Sequence, residues 1–304
     1  MLSRVAGGYV PKTIFVTGAT EGLGLETAKN LVLARHTVLL HGSSRTRLQQ
    51  VADSLSALPG ARSVYCYSAN LCDLEQVEEL ASSLLRDHER LDVLINNAST
   101  VDDATSGRPG LDARFLVNTI APYRLSLRLL KRLGEGGRIV NVSSSAKNSV
   151  DLRALAGARK LSDVEAYAQS KLALTMWSRH LARTVGRRGP VILSVNPNPA
   201  SAKSALDRGR THVPERSATL VRAALSSDFS DASGLYFDSG RRCFSSPHPD
   251  AYDPHLCAEI VCVMEQLVTT VEGERFAPHL DANHLLAHLP AQLDGESVCH
   301  HAWG

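Results

Sequence analysis

Hydrophobic and polar positions follow two different periods along this chain. Short, nearly continuous apolar runs, bounded by glycine or polar residues, predict buried strands at 13–18, 36–42, 63–71, 91–98, 137–144 and 190–197. Between them, apolar residues recur every three or four positions and predict helices at 24–35, 44–58, 74–88, 112–133 and 165–185. Buried strands that alternate with helices of this length are typical of parallel sheets covered on both faces. The pattern therefore predicts an α/β fold, a doubly wound parallel sheet in a three-layer α/β/α sandwich.

The pattern becomes weaker after about residue 205. No stretch before residue 205 has the composition of an interdomain linker. We therefore predict a single domain over residues 1–271 and a histidine-containing extension over 272–304.

Composition and charge exclude several classes of protein. The chain has 304 residues, of which 43% are hydrophobic and 21% charged, and its formal net charge is +2. That balance favours neither a nucleic-acid partner nor an acidic membrane surface. The densest basic run, Arg179–Arg188, is expected to be the solvated end of a helix, where cations suit the C-terminal dipole.

Cysteine usage and hydropathy indicate the compartment. The six cysteines form no CxxC pair, and no secretory signal is visible. We therefore expect reduced, buried thiols and a cytoplasmic protein. No apolar run approaches the roughly 20 residues that a membrane-spanning helix needs, so no membrane span is predicted.

A glycine-rich turn follows the first predicted strand. The stretch "TGATEGLG" contains Gly18, Gly22 and Gly24 and leads directly into a helix. Glycines permit a tight turn and close approach of a pyrophosphate, and the free N–H groups of the helix point at that anion. Three glycines alone are a weak signal, but the strand before them and the helix after them favour a dinucleotide site over a purely structural turn.

The end of the second strand should meet the adenosine ribose. An acidic residue there would bind the ribose hydroxyls and favour NAD. The sequence has "HGSSRTR" instead, where Ser43, Ser44 and Arg45 could hold a 2′-phosphate. NADP(H) is therefore favoured over NAD(H), although Glu21 in the glycine turn argues mildly against it.

The stretch "EAYAQSKLAL" places Tyr167 and Lys171 on one face of a helix. A free phenol has a pKa of about 10 and is a poor base at neutral pH. A nearby ammonium stabilises the phenolate, which makes the tyrosine a usable proton donor and acceptor for a carbonyl or an alcohol. Such pairs are common on exposed helices, so the pair by itself does not indicate catalysis.

The order of several motifs changes that interpretation. "TGATEGLG", "NNAS", "FLVNTIAP", "IVNVSS" and "YAQSK" occur in sequence, and together they resemble the short-chain dehydrogenase/reductase family over about residues 12–200. The resemblance implies a Rossmann-type fold and hydride transfer between a nicotinamide cofactor and an alcohol or carbonyl substrate.

By that resemblance, Tyr167 is the acid/base, and Lys171 lowers the pKa of its phenol and binds the nicotinamide ribose. Ser144 orients the substrate, because the family uses the second serine at this strand end. Asn118 holds the active-site helix and a water of the proton relay. The predicted cofactor-binding residues are Gly18, Thr20, Glu21, Gly22, Leu23, Gly24, Ser43, Ser44, Arg45, Asn70, Leu71, Asn97, Ala98, Tyr167, Lys171, Pro197 and Asn198.

Some positions depart from the family pattern. Ser99 stands where a glycine is usual, and Asn70 where an aspartate usually contacts the adenine. Asn198 follows Pro197 in place of glycine; asparagine tolerates a positive φ, so the turn can survive. The usual threonine is replaced by Ala202, with Ser201 and Ser204 as candidate substitutes for holding the carboxamide.

The substrate side resembles the retinol dehydrogenase-like branch of the family. The stretches 234–239 and 251–268 are similar to that branch's C-terminal section, which implies a short strand and a final helix that close the substrate pocket. Between Ser144 and Tyr167 lie 22 residues, more than many members have, and the pocket is predicted from about 145–166 and 198–245. This favours a fairly large or apolar alcohol, ketone or aldehyde, such as a secondary metabolite or a lipid-like carbonyl. The histidines of the tail, His279, His284 and His288, are interpreted as a polar extension, and no metal is predicted.

Two other functions stay open at this stage. One is a nicotinamide-binding regulator without turnover, which the complete set of four catalytic residues argues against. The other is an epimerase or dehydratase that recycles its cofactor.

The helices at 112–133 and 165–185 are those that the family pairs between subunits, so a homodimer or homotetramer is predicted.

Overall fold

The computed structural model describes residues 10–101, 110–145, 148–198 and 212–273, with side chains to residue 268. Within these ranges, eight strands form one sheet in the order β3-β2-β1-β4-β5-β6-β7-β8. β8 is antiparallel to β7, and the other neighbouring pairs are parallel. The strands are β1 (Thr13–Val16), β2 (Thr37–Gly42), β3 (Val64–Ser68), β4 (Val93–Asn96), β5 (Arg138–Val142), β6 (Val191–Asn196), β7 (Tyr236–Asp238) and β8 (Cys243–Phe244).

Helices connect the parallel strands. They are α1 (Gly22–Leu33), α2 (Arg45–Ser56), α3 (Leu74–Asp87), α4 (Ala113–Phe115), α5 (Ala121–Leu133), α6 (Leu152–Leu155), α7 (Asp163–Val185), α8 (Val213–Leu225) and α9 (Pro254–Gly273). A π-helical turn, Leu116–Ile120, joins α4 to α5. Short 3₁₀ turns cover Gly186–Arg188, Ser227–Phe229 and Pro249–Tyr252.

Two apolar layers enclose the sheet, one on each face. In β1, Ile14 and Val16 pack with α1, α2 and α8, whereas Phe15 packs with α3, α5, α7 and α9. All three side chains are fully buried, because successive residues of a central strand alternate between two covered faces. The predicted doubly wound, three-layer α/β fold is confirmed.

The structure refines the predicted helix boundaries. The predicted continuous helix 112–133 is interrupted by the π turn, which apolar periodicity did not reveal. α7 begins at Asp163, two residues before Glu165, because Ser162 caps it: the Ser162 hydroxyl accepts from the Glu165 N–H, and the Glu165 carboxylate accepts from the Ser162 N–H. α8 was not predicted; it packs against α1, and Asn30 donates a hydrogen bond to Ser217 at 2.8 Å.

The expectation for the basic run 179–188 was only partly right. Arg187 and Arg188 are exposed just past the end of α7. Arg179 instead docks on the C-terminal region: its guanidinium donates to the carbonyls of Ala251 and Gly234 and lies 4.4 Å from the centre of the Tyr252 ring. Because this part of α7 packs on another segment, the Arg179 guanidinium finds its hydrogen-bond partners in the protein rather than in water.

The expectation of buried thiols was also partly wrong. The five cysteines within the described ranges are free, and Cys72 and Cys257 are buried. Cys66 and Cys243 are exposed, because β3 and β8 are the edge strands of the sheet. Over the ranges that the structure covers, no helix combines the length and the apolar character needed to cross a bilayer.

Candidate active site

The glycine-rich turn joins β1 to α1 at the carboxyl edge of the sheet. Gly18 and Gly22 have φ of +63° and +52°, which a side chain would strain. At Gly24 a Cβ would overlap the carbonyl oxygen of Gly18, whereas at Gly22 it would meet nothing within 4 Å. The side chain of the N-cap residue, Glu21, accepts no hydrogen bond from the first turn of α1. The turn is thus tightly folded on one side and open, with uncapped N–H groups, on the other.

Residues that follow β4 hold this turn in place. The Asn97 amide donates to the carbonyls of Thr17 and Gly18 at 2.9 and 3.1 Å. The Thr17 hydroxyl accepts from the N–H groups of Asn97 and Ala98, both at 3.0 Å. Asn97 and Ala98, two of the predicted cofactor-binding residues, therefore lie directly against the glycine turn.

His41, the penultimate residue of β2, contacts two loops at the same edge. Its Nδ1 accepts from the Gly18 N–H at 3.2 Å, and its Nε2 lies 3.1 Å from the Ala69 carbonyl. The ring is 3% exposed, and burial lowers its pKa to about 4. His41 is therefore neutral at physiological pH and links the glycine turn to the loop after β3.

The residues predicted to hold a 2′-phosphate are exposed at the end of β2 and the start of α2. These are Ser43, Ser44 and Arg45. Ser44 also caps α2, accepting from the Arg47 N–H at 3.4 Å. Arg47, which the sequence analysis did not single out, forms an ion pair with Glu21 at 3.2 Å and donates to the Thr20 carbonyl.

A cleft of about 530 Å³ lies beside these residues, between the glycine turn and α2. Thr20, Ser44, Thr46 and Arg47 supply polar groups to its lining, and Arg45 is not part of it. The structure thus brings Arg47, rather than Arg45, next to the glycine turn. The sequence could not separate the two arginines, because which of them faces the cleft depends on α2 beginning at Arg45 with Ser44 as its N-cap.

The loops after β3 and β6 carry the other predicted nucleotide residues. Asn70 accepts from the Cys72 N–H through its side chain and is exposed, whereas the Leu71 side chain is buried in the core. Leu71 can therefore offer a nucleotide only its backbone. Asn198 does not have the positive φ that we expected; its backbone N–H and its amide both donate to Asn196 instead.

Asn118 lies in the π turn between α4 and α5 and is 1% exposed. Its side-chain oxygen accepts from the Thr100 N–H at 2.9 Å, and its amide donates to the Thr100 carbonyl and the Ser170 hydroxyl, both at 3.0 Å. The side chain is therefore engaged on both its oxygen and its nitrogen. It ties the loop after β4 to α7, and π turns are frequent at functional sites.

The end of β5 docks on the first half of α7. Lys171 donates to the Val142 carbonyl at 2.9 Å, and the Ser143 hydroxyl contacts the Thr175 hydroxyl at 2.7 Å. Lys171 is 2% exposed, and burial lowers the pKa of its ammonium to about 7. Val142 and Ser143, which directly precede the predicted catalytic residue Ser144, thus hold the end of β5 against α7.

Tyr167 and Ser144 are both half-buried and stand beside these anchor points. The Ser170 hydroxyl donates to the Tyr167 carbonyl at 2.8 Å, so it links Asn118 to the turn of α7 that carries Tyr167. The Ser144 carbonyl accepts from the Tyr236 hydroxyl of β7 at 3.2 Å. The three elements that carry the four predicted catalytic residues, the π turn, the end of β5 and α7, are therefore hydrogen-bonded to one another.

Residues 12–211 match the family model described as short chain dehydrogenase. The chain belongs to the short-chain dehydrogenase family. The family's members are oxidoreductases that transfer a hydride between a nicotinamide cofactor, NAD or NADP, and an alcohol or ketone, and this chain is one of them.

Two relatives cover most of the chain. Human retinol dehydrogenase 13 is 27% identical over 87% of this chain and 88% of its own length, which supports the retinol dehydrogenase-like branch. A protein of Streptomyces sp. (strain C5), named for daunorubicin C-13 ketoreductase activity, is 31% identical over 67% of this chain and 70% of its own length.

Solved structures share the fold. One is a crystal structure from Mycobacterium paratuberculosis, with a TM-score of 0.68 and 24% identity over 85% of this chain and 93% of that chain. Another is a metagenomic short-chain oxidoreductase in complex with NADP, with a TM-score of 0.56 and 24% identity over 71% of this chain and 92% of that chain.

The substrate side of this dehydrogenase is described only in part. In the stretch 145–166, α6 is capped by Asp151, whose N–H donates to Gln169 of α7 at 2.8 Å. In the stretch 198–245, the described part from His212 forms α8, β7 and β8. Ser201, Ala202 and Ser204, and the tail histidines, lie outside the described residues. Within them, no cluster of three or more His, Cys, Asp or Glu side chains could hold a metal ion.

Proposed function

We propose that this protein is an NADP(H)-preferring alcohol dehydrogenase/carbonyl reductase in which Tyr167 is the acid/base. The observation that carries the proposal is the hydrogen-bonded clamp around α7. Asn118 donates to the Ser170 hydroxyl of this helix, and Lys171 and Thr175 of the same helix bond to the end of β5. A clamp of this kind would fix Tyr167 beside Ser144, and preorganisation of the reacting groups is what proton transfer to a substrate requires.

The residues present fit a dinucleotide. The open side of the glycine turn at Gly22, with uncapped N–H groups behind it, suits a pyrophosphate. The backbone of the Asn70–Leu71 loop and the Asn97–Ala98 stretch flank the adenosine side. When bound, the nicotinamide supplies or accepts the hydride.

The chain's own residues would handle the proton. In reduction, the Tyr167 hydroxyl donates a proton to the substrate oxygen, and in oxidation the phenolate takes it back. The Ser144 hydroxyl hydrogen-bonds the same oxygen and orients it. Lys171 stabilises the phenolate only while it is an ammonium, and its pKa of about 7 makes that charge sensitive to pH near neutrality.

Preference for NADP(H) rests on the groups at the end of β2. Ser43 and Ser44 offer hydroxyls, and Arg45 and Arg47 offer guanidinium groups to a 2′-phosphate. Arg47 is the better placed of the two, because it lines the cleft beside Thr20 and Ser44. Its ion pair with Glu21 would have to open when the phosphate binds.

The substrate is proposed to be a fairly large or apolar ketone, aldehyde or alcohol. The human relative is named for retinol and the Streptomyces relative for a daunorubicin ketone, and both names denote bulky molecules with apolar ring or chain systems. A role in secondary metabolism and a cytoplasmic location remain predictions.

A homodimer or homotetramer also remains a prediction. The two helices that the family pairs between subunits, α5 and α7, both contact α9 within this chain. Tyr123 of α5 donates to Glu265 of α9 at 2.9 Å, and the Tyr123 ring packs on Trp177 of α7. α9 therefore covers part of the face that pairing through these helices would use.

The decisive experiment is consumption of NADPH, beside NADH, with a panel of bulky ketones, aldehydes and quinones. Wild type, Tyr167→Phe and the control Tyr252→Phe, an exposed tyrosine, are compared. We expect turnover that prefers NADPH, is lost in Tyr167→Phe and is retained in the control. Undiminished turnover in Tyr167→Phe would overturn the assignment. Cofactor binding without turnover favours a regulatory protein, and tightly retained cofactor without net consumption favours an epimerase or dehydratase.

A further inference from the structure

His41 occupies an unusual position for a buried histidine. It stands at the carboxyl end of β2, with its ring between the glycine turn and the loop after β3. Its edge packs on Phe15 of β1, with the two ring centres 6.3 Å apart. The ring is thus enclosed on its apolar side and directed by hydrogen bonds at both nitrogens.

The two hydrogen bonds determine the tautomer. The Gly18 N–H can only donate, so the Nδ1 atom that it meets at 3.2 Å must carry a lone pair. The proton of the neutral ring is therefore on Nε2, which donates to the Ala69 carbonyl at 3.1 Å. A protonated imidazolium would lose its acceptor at Nδ1 and would break the contact with Gly18.

The hydrogen bond to His41 fixes the Gly18 peptide, at a position where a side chain would not fit. Gly18 has a φ of +63°, and a Cβ there would lie 2.8 Å from the Ala98 Cα. Its N–H is held by His41, and its carbonyl by Asn97. Without His41, the half-buried Gly18 N–H would lack this acceptor, and the turn could relieve that cost by rotating.

We propose that His41 is a positioning residue for the nucleotide, whose Nδ1 fixes the glycine turn through the Gly18 N–H while its Nε2–H sets the spacing to the Ala69–Leu71 loop. The inference rests on the proposed function, because it assigns these two loops to the dinucleotide. His41 does not contact the reacting atoms. Its effect is expected on nucleotide affinity rather than on the rate of the chemical step.

A matched control lies at the opposite end of the same strand. His36, just before β2, is 5% exposed, and its Nδ1 accepts from the Lys12 N–H at 3.1 Å. It resembles His41 in burial and in its bond to a backbone N–H, but it lies at the amino edge of the sheet. A purely structural role for His41 predicts that the two histidines behave alike.

The test measures NADPH dissociation constants by calorimetry, and KM and kcat, for His41→Asn, His41→Gln, His41→Leu and His36→Leu. Asparagine places an oxygen near Nδ1, glutamine places its amide near Nε2, and leucine does neither. We expect His41→Asn to stay within about threefold of wild type, and His41→Gln and His41→Leu to weaken binding about tenfold, with kcat nearly unchanged. His36→Leu is expected to lower the melting temperature without changing the dissociation constant.

Each other outcome is informative. An unchanged dissociation constant in folded His41→Leu, or an equal effect of His36→Leu, overturns the inference and leaves the proposed function intact. A wild type that binds no nicotinamide nucleotide overturns both. Should the His41 variants not fold, ¹⁵N spectra of histidine side chains in the wild type decide, since a ring protonated on Nδ1 at neutral pH contradicts the arrangement proposed here.

Discussion

His41 and Lys171 are both deeply buried nitrogen bases, but they differ in how many hydrogen-bond partners the surrounding residues give them. His41, at the nucleotide end, has a partner at each ring nitrogen, the Gly18 N–H and the Ala69 carbonyl. Lys171, at the proton-transfer end, can donate three hydrogen bonds, and the described residues provide Val142 as one acceptor. Burial lowers the pKa of both, to about 4 and about 7.

This difference in hydrogen bonding matches the two proposed roles, positioning of the nucleotide for His41 and support of proton transfer for Lys171. At pH 7 the buried histidine is neutral and fully bonded, so it stabilises the turn at no cost in buried charge. Burial holds the pKa of the Lys171 ammonium near neutrality, and among the described residues its Nζ donates to the Val142 carbonyl. A buried ammonium that costs stability is expected at a site where the charge serves the reaction.

The largest expected effect comes from Lys171→Met. We expect kcat to fall by about 10²- to 10³-fold, because the phenolate of Tyr167 loses its cation. The free energy of unfolding should rise by roughly 2–4 kcal/mol at about pH 6, and much less at about pH 10. The sign follows because the unfolded lysine keeps its proton up to about pH 10.5, whereas the native one loses it near pH 7.

Urea unfolding at both pH values checks this, with Lys131→Met, an exposed lysine of α5, as control. If Lys171→Met is no more stable than wild type at about pH 6, other groups of the protein offset the cost of burying the Lys171 ammonium. The difference drawn here between Lys171 and His41 would then be wrong.

The second-largest effect concerns the free energy of unfolding at acidic pH, which the buried His41 is expected to lower. The unfolded imidazole binds a proton near pH 6.5, whereas the native ring binds one only near pH 4. Between these values the unfolded state gains protons first, so His41 should lower the free energy of unfolding by roughly 2–3 kcal/mol as the pH falls. His41→Asn should show a shallower decline.

Urea midpoints at about pH 6.5 and pH 4.5 measure that decline, and the exposed His255→Asn serves as the control. Equal declines in wild type and His41→Asn would show that the native and the unfolded histidine take up their proton over the same pH range, which contradicts the lowered pKa of His41.

Gly24→Ala tests how tightly the nucleotide end is built. An added Cβ would overlap the Gly18 carbonyl and crowd the Asn97 amide. We expect a loss of about 1–3 kcal/mol in stability and at least tenfold weaker nucleotide binding, since the turn must open to accept it. Gly136→Ala, where a Cβ meets nothing within 4 Å, should change neither. Melting temperatures and calorimetric titration measure both quantities.

The smallest expected effect separates Arg47 from Arg45. We expect Arg47→Ala to raise KM for NADPH about five- to tenfold with little change for NADH, because one exposed charge contact is lost. Arg45→Ala should have the weaker effect, since Arg45 does not line the cleft. Steady-state kinetics at low and high salt measure the difference, and a larger effect of Arg45→Ala would reverse the assignment.

The sequence alone determined the strands β1 to β7, most of the helices and the motif order, because apolar periodicity and glycine positions are local properties of the chain. It did not reveal α6, α8 or β8. It also indicated Asn118, Ser144, Tyr167 and Lys171 as a set, through their resemblance to a family. It did not reveal the π turn at Leu116–Ile120, since α- and π-helical turns share nearly the same apolar pattern.

Only the tertiary structure showed the contacts of His41, Arg47, Ser170 and Thr175. Each takes its partners from a segment distant in the chain: His41 from Gly18 and Ala69, Ser170 from Asn118, and Thr175 from Ser143. Tertiary packing also decided which buried nitrogen is neutral and which is partly charged, because the pKa of a buried group depends on the solvent and partners that the fold leaves to it. Residue type and spacing limit which chemistry a site can perform, but the geometry of the surrounding loops sets the charge with which it is performed.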